Sequence, residues 1–466
     1  MLRASLFTSL CGTSELASAF AISNKIPMSI FDLLFGSAIA GCFIPEFSLK
    51  KQRKKEYTSA FFITVFSFTA FFVFLGMFYS NRLAKIIARG LSPYAVELTS
   101  NLLIILLPSV LFACGTYLIT ALCHAYKYRF LPAAVSVLSN LFVILVFFNI
   151  REIKTESQYY FIAFCFSFSW FLQFIFVSLP FIKKTFALLK PDFRLIKSSL
   201  KRFPTSVFSS WLLPFSLTSS MFFSSLTSKN GGALFDYASV LFCAVTGIIS
   251  SVIGGYIFPV LSDSYINKDD FSKKAVLCLK ESLFISLPIC IFILILSKEL
   301  VNIAYLRGNF SEHDAVSVSQ ILSVISMALP YCTLNEILMR IFDASNNNFI
   351  AAEISFLGSV VVLVLQVISY KLNFGVLAIV FSFVLGQILS SFFGLVMGVK
   401  YLSQKTVLPS FKDFFFPPVV FSAAVGVSYA VFSQSVKTDF IIVVAVCFIG
   451  LLSYLPFLLK NKRKEI

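Results

Sequence analysis

Apolar positions gather into long runs parted by short polar stretches, at about 13 places: 15–46, 57–79, 94–122, 130–150, 158–181, 203–226, 232–262, 275–297, 314–342, 349–370, 375–399, 414–432 and 439–459. Runs of roughly 20 residues are long enough to cross a hydrocarbon core of about 30 Å as helices. A transmembrane barrel would instead show alternating segments of about ten residues. The pattern therefore predicts an all-α polytopic membrane protein. Four runs are longer than one crossing requires, and Pro27, Pro108 and Pro330 are expected to kink three of these. Such kinks are tolerated where protein or cavity water replaces the lost backbone bonds. The longest polar stretch, 182–202, contains KKTFALLKPDFRLIKSSLKR and is expected to lie as an amphipathic helix on the inner membrane surface.

The pattern also repeats. GSAIAGCFIPEFS (36–48) aligns without a gap to SSVIGGYIFPVLS (250–262), so that Ser37, Ile39, Gly41, Pro45 and Ser48 recur as Ser251, Ile253, Gly255, Pro259 and Ser262. A lysine-bearing loop follows each copy. FLPAAVSVLSN (130–140) is echoed in the same order by FIAAEISFLGS (349–359). Two ordered echoes predict two homologous halves, 1–181 and one beginning at 203, joined by the linker 182–202. Repeats of this kind are common in transporters that close one half against the other.

Composition agrees: 58% of the 466 residues are hydrophobic and 13% are charged, against about 25% charged in soluble proteins. The net charge of +16 could suggest nucleic acid, but its placement explains it better. With KKQRKKE (50–56) taken as cytoplasmic, 24 of the 38 Lys and Arg residues fall on loops of that side and ten on the other. This bias follows the positive-inside rule and puts the C-terminal KNKRKEI in the cytoplasm. An odd number of spans ending inside must begin outside. The expectation is that the N-terminus translocates by itself or that a preceding helix is missing. No signal peptide with a cleavage site is evident.

Candidate chemistry is sparse. The ten cysteines are scattered through apolar runs and read as buried small residues. His124 and His313 lie far apart, so no metal site is expected. No catalytic constellation and no nucleotide-binding loop is present, and the short loops offer little room for one. The 58 phenylalanines are read as mostly lipid-facing.

Several stretches resemble a known family. KIPMSIFDLLFGSAIAGCFIPEFS (25–48) is similar to the second helix of the MurJ/MviN lipid II flippases, within the multidrug/oligosaccharidyl-lipid/polysaccharide exporter superfamily. AYKYRFLPA (125–133) with Asn140 resembles that family's loop and fifth helix. LRGNFSEHD (306–314) resembles its outer RGxFxxxD motif, and RIFDASNNN (340–348) its RxFYAxxDTxTP stretch. The resemblance covers nearly the whole chain. It implies 14 helices in the family: two pseudo-symmetric six-helix lobes, here 1–181 and 203–402, and two C-terminal helices with a cytoplasmic tail, here 403–466. It places Arg3 near the outer end of a first helix that this chain would enter part-way. It also implies a bacterial cytoplasmic membrane location and a role in peptidoglycan synthesis, with the lipid-linked glycan pyrophosphate, the bilayer and cell-wall synthesis enzymes as partners.

The chain departs from the family pattern at Ala4, at Tyr237-Ala238-Ser239-Val240, at Leu213 and Ser219, and at Asn347. These changes remove cavity charge and weaken the case for a sodium site. Coupling to sodium, protons or the membrane potential stays open, and no cofactor is expected.

A glycan pyrophosphate is too polar to cross hydrocarbon unaided, so the function calls for basic groups in a wet cavity. Arginine binds phosphate bidentately and lysine acts as a point charge. The candidate substrate contacts are Arg3, Lys25 and Arg340, with snorkelling to the interface as the plainer reading of the last two. Asp32 falls near mid-depth, where an ionisable group is functional by default. Facing an anionic substrate, an acid there suggests gating or coupling, with Lys25 or Arg3 as its partner. Gly36, Gly41, Pro45, Gly255 and Pro259 read as structural motif positions at close helix approaches. Arg307, Gly308, Phe310 and Asp314 are expected to order a loop and cap the helix after it. The expected function is flipping of lipid II by alternating access. Its rivals are export of another undecaprenyl-linked polysaccharide or of a drug, and a non-transporting scaffold for wall synthesis.

Overall fold

The computed structural model describes residues 2–32, 39, 42–43, 46–47, 53–126, 128, 130–150, 153, 155–181, 191–252, 268–345, 347–402, 411–435 and 438–463. Its elements are helices, and the chain is an all-α polytopic membrane protein. It divides into two compact units, Leu2–Ala233 and Leu234–Ile466. The motif positions Gly36, Gly41, Pro45, Gly255 and Pro259 lie outside the described residues, as do most of the two halves of the first echo.

The first unit contains α1 (Leu2–Cys11), α2 (Glu15–Phe31), α3 (Lys54–Phe78), α4 (Ser80–Ile87), α5 (Pro93–Ala125), α6 (Phe130–Phe148), α7 (Glu156–Ser178), α8 (Lys197–Ser209) and α9 (Leu212–Thr227). The central helix is α5, 33 residues long and packed against α2, α3, α4 and α7. It starts where Ser92 accepts a hydrogen bond from the amide of Ala95 and Pro93 occupies the first turn, where its missing N–H is no loss. Pro108, an expected kink, lies inside this helix without interrupting it. Gly115 lets α7 approach, since a Cβ there would collide with the ring of Phe174. Around α5 lies a core in which the Phe43 ring is 5.3 Å from Phe47, 5.6 Å from Tyr57 and 5.3 Å from Phe61.

The second unit takes most of α10 (Gly231–Val252), then α11 (Lys268–Tyr305), α12 (Glu312–Ser326), α13 (Leu329–Ala344), α14 (Asn348–Lys371), α15 (Val376–Leu402), α16 (Phe411–Ser435) and α17 (Asp439–Arg463). Here α11 is the long helix, packed against α12, α13, α16 and α17. Its one non-helical residue, Leu296, bends it. Gly386 of α15 lies where a Cβ would strike Val362 of α14, the small-residue contact that close helix packing in lipid requires.

Among the described residues, eight helices are long and apolar enough to cross a membrane, and α12 with α13 makes a ninth if that pair, bent by 42°, is one span. The expected run 314–342 is therefore a broken element, with Pro330 in the first turn of α13 just after the break. The run 203–226 is likewise broken at Ser210–Trp211, between α8 and α9. An apolar run shows length and hydropathy but not a bend inside it, which is why both read as continuous spans. Phenylalanine serves two purposes. On α3, Phe71, Phe74 and Phe78 are exposed as lipid-facing positions would be, whereas Phe20, Phe61, Phe242 and Phe383 are buried. All ten cysteines are free thiols.

Candidate functional site

The first unit holds three of the four candidate ionisable groups. Seven residues span two helical turns, so Lys25 and Asp32 share one face at the end of α2 and lie within electrostatic reach of each other. The Asp32 carboxylate also accepts a hydrogen bond from the hydroxyl of Tyr117 on α5. The Phe31 ring, 5.5 Å from that of Tyr117, packs beside this contact. Arg3, on α1, sets its guanidinium 4.9 Å above the ring of Phe166 on α7. That ring belongs to a cluster with Phe20 at 5.6 Å and Phe147 at 6.2 Å. An aromatic face attracts a cation through the ring quadrupole.

Arg340 belongs to the second unit. Its guanidinium is 3.9 Å from Glu336, one turn earlier on α13, and within electrostatic reach of Asp343. Glu336 also accepts a hydrogen bond from the hydroxyl of Ser250 on α10. The Arg340 side chain remains 41% exposed.

The loop between α11 and α12 is built by the RGNF motif residues. Gly308 takes φ +60°, a left-handed conformation that glycine adopts without strain. This turn brings Phe310 into the core, with its ring 6.0 Å from Tyr305 and 6.2 Å from Tyr237, while the Tyr305 hydroxyl donates to the Tyr237 carbonyl at 3.0 Å. Arg307 donates to the carbonyl of Ile303 at 3.1 Å. Ser311 and Asp314 form a capping box: the Ser311 hydroxyl accepts from the amide of Asp314, and the Asp314 carboxylate accepts from that of Ser311, each at 3.2 Å.

Two further polar clusters were not singled out in the sequence. Glu46, only 4% exposed, accepts a hydrogen bond from Ser198 at 2.8 Å and lies 4.0 Å from Arg202. Beside it the Tyr57 hydroxyl is 2.8 Å from that of Ser199, and Arg53 pairs with Asp192 at 3.0 Å. The amide of Arg194 and the charge of Arg53 hold the Asp192 carboxyl below its usual range. These contacts clasp the segment from Asp192 to Ser209 onto the end of α3. In the second unit, Glu299 accepts from Tyr429 at 2.8 Å, and Asn302 donates to Asp439 at 3.1 Å, tying α11 to α16 and α17. Glu46 and Ser198 are 152 positions apart, and Glu299 and Tyr429 are 130 apart. No periodicity reports such pairings; an acid at the end of an apolar run was the one available signal. Among the described residues, no group of three or more His, Cys, Asp or Glu side chains is placed to hold a metal ion.

A multi-pass helical membrane protein with ionisable side chains set among its helices is an architecture that membrane transporters use, and the family match places the chain in that class. The chain belongs to the family described as Lipid II flippase MurJ, whose model matches residues 7–453. Its members are flippases, transporters rather than enzymes. The chain is 30% identical to the probable lipid II flippase MurJ of Buchnera aphidicola subsp. Schizaphis graminum, over 76% of this chain and 71% of that protein. It is 27% identical to the probable lipid II flippase MurJ of Aquifex aeolicus, over 85% and 79% of the two chains. A solved structure of lipid II flippase MurJ in an inward closed conformation matches with a TM-score of 0.81, at 20% identity, over 99% of this chain and 96% of that one. An inward-facing multidrug resistance MATE transporter of the MOP superfamily shares the fold more distantly, with a TM-score of 0.63 at 14% identity over 86% and 94% of the chains.

Proposed function

We propose that this chain carries lipid II from the inner to the outer leaflet of a bacterial cytoplasmic membrane by alternating access, with its C-terminus in the cytoplasm. The observation that carries the reading is family membership over 7–453, joined to basic side chains set in both units. Arg3, Lys25 and Arg340 bind the pyrophosphate, and Asp32, hydrogen-bonded to Tyr117 and within electrostatic reach of Lys25, gates or couples the movement. The moving lobes are 1–181 and 203–402, joined by 182–202, with 403–466 appended. No cofactor is required. An inside-negative potential favours outward movement of an anionic headgroup by about 2.3 kcal/mol per charge per 100 mV. Wall-synthesis enzymes that consume lipid II on the outer side are the class of partner this activity serves.

The test is replacement of the resident flippase in a bacterium depleted of it. The chain is expected to restore growth, and Arg3→Glu, Lys25→Glu and Arg340→Glu to lose that rescue at unchanged membrane abundance. Rescue that survives all three reversals would show that these side chains do not bind the pyrophosphate, and failure of the unaltered chain to rescue while abundant in the membrane would indicate a scaffold. Drug resistance that depends on Asp32 would indicate an exporter of cationic drugs.

A further inference from the structure

The clasped segment has a second face. Ile196, Ser199 and Val207 are buried against the first unit, at the spacing of one helical stripe. Phe193, Arg194, Lys197, Leu200 and Lys201, on the flank beside that stripe, are exposed. Phe193 keeps 52% and Leu200 46% of its surface, large values for apolar side chains beside three cations. The one acid in 191–209, Asp192, is already engaged by Arg53 and by the amide of Arg194. This flank therefore carries three cations with two apolar side chains among them, and the acid beside it, Asp192, is shared between Arg53 and Arg194.

We infer that this face binds the headgroups of anionic phospholipids, with Phe193 and Leu200 in the acyl boundary and Arg194, Lys197 and Lys201 on the phosphates. A helix of this composition lies in the plane of the membrane interface, held by buried apolar area and by attraction to anionic lipid. Three features of the segment favour lipid over a folded partner. Its large exposed apolar side chains are only two, three exposed cations alternate with them along two turns, and the clasp through Glu46, Tyr57 and Arg53 ties it to a membrane-spanning unit. The inference rests on the membrane reading of the chain but not on lipid II transport.

The experiment uses the full chain with Trp170→Phe, Trp211→Phe and Leu200→Trp, so that the only indole reports from this face. It is reconstituted in phosphatidylcholine nanodiscs containing equal mole fractions of either brominated phosphatidylglycerol or brominated phosphatidylcholine, without lipid II. Brominated phosphatidylglycerol is expected to quench about two- to fivefold more strongly. That preference should fall to parity on adding Arg194→Glu, Lys197→Glu and Lys201→Glu. In the chain without these reversals it should also shrink as salt shortens the screening length from about 10 Å at 0.1 M to about 3 Å at 1 M. Equal quenching by both lipids at low salt overturns the proposal, and so does a preference that survives the reversals. Negligible quenching by either lipid overturns it too, because the face would then be turned toward a protein or the solvent.

Discussion

The two units solve one problem differently. In the first, Lys25 and Asp32 stand two turns apart on one helix, and a phenol from α5 supports the acid. In the second, Arg340 has Glu336 four residues before it and Asp343 three residues after it on the same helix. The first arrangement balances one cation against one acid and leaves Arg3 over an aromatic ring. The second surrounds one cation with two acids, one of them also held by Ser250. An isolated charge in a bilayer is expensive, and both arrangements lower that expense locally. They differ in balance: two cations for one acid in the first unit, one cation for two acids in the second.

This contrast orders the expected effects. Arg340→Glu should be the most damaging, because it leaves three neighbouring acids with no cation among them. Lipid II transport is expected to fall by about tenfold or more, equivalent to about 1.4 kcal/mol or more of lost stabilisation, at preserved membrane abundance. Lys25→Glu should come next, since the first unit still carries Arg3. A larger loss at Lys25 than at Arg340 would break the comparison. Glu336→Gln should act in the opposite sense, leaving Arg340 with one acid fewer and tightening binding of a soluble pyrophosphate by a few-fold, about 0.5–1 kcal/mol, as read by calorimetry on the purified chain. Tyr117→Phe removes one buried hydrogen bond to Asp32 and should lower stability by about 1–2 kcal/mol, seen as an earlier thermal unfolding transition.

The smallest effect is a control outside both clusters. Asp192 titrates below the ordinary carboxylate value of about 3.9. A depressed folded value means that its contribution to the clasp is present above that ordinary value and lost only as pH falls through the lower one. Hydrogen exchange in 193–196 should therefore be unchanged between pH 7 and pH 5, after correction for the intrinsic rate, and should rise only below about pH 4.

The all-α membrane architecture could be read in the chain because apolar length is a local signal. The motif LRGNFSEHD was legible for the same reason: Gly308 supplies the turn and Ser311 with Asp314 the helix cap, all within a few residues. The breaks at Ser210–Trp211 and between α12 and α13 were not legible, since the run on each side is equally apolar. Nor was the phenol on Asp32. Tyr117 sits in a span 85 positions away among other aromatic residues, and only packing selects it.

Lipid II itself offers the most direct measurement. In cells depleted of their own flippase and supplied with this chain, a membrane-impermeant enzyme that cleaves lipid II reports how much has reached the outer leaflet. The account expects cleavage restored to the level of flippase-replete cells and lost again with Arg340→Glu. Lipid II that stays protected from the enzyme while the chain is abundant in the membrane would contradict it.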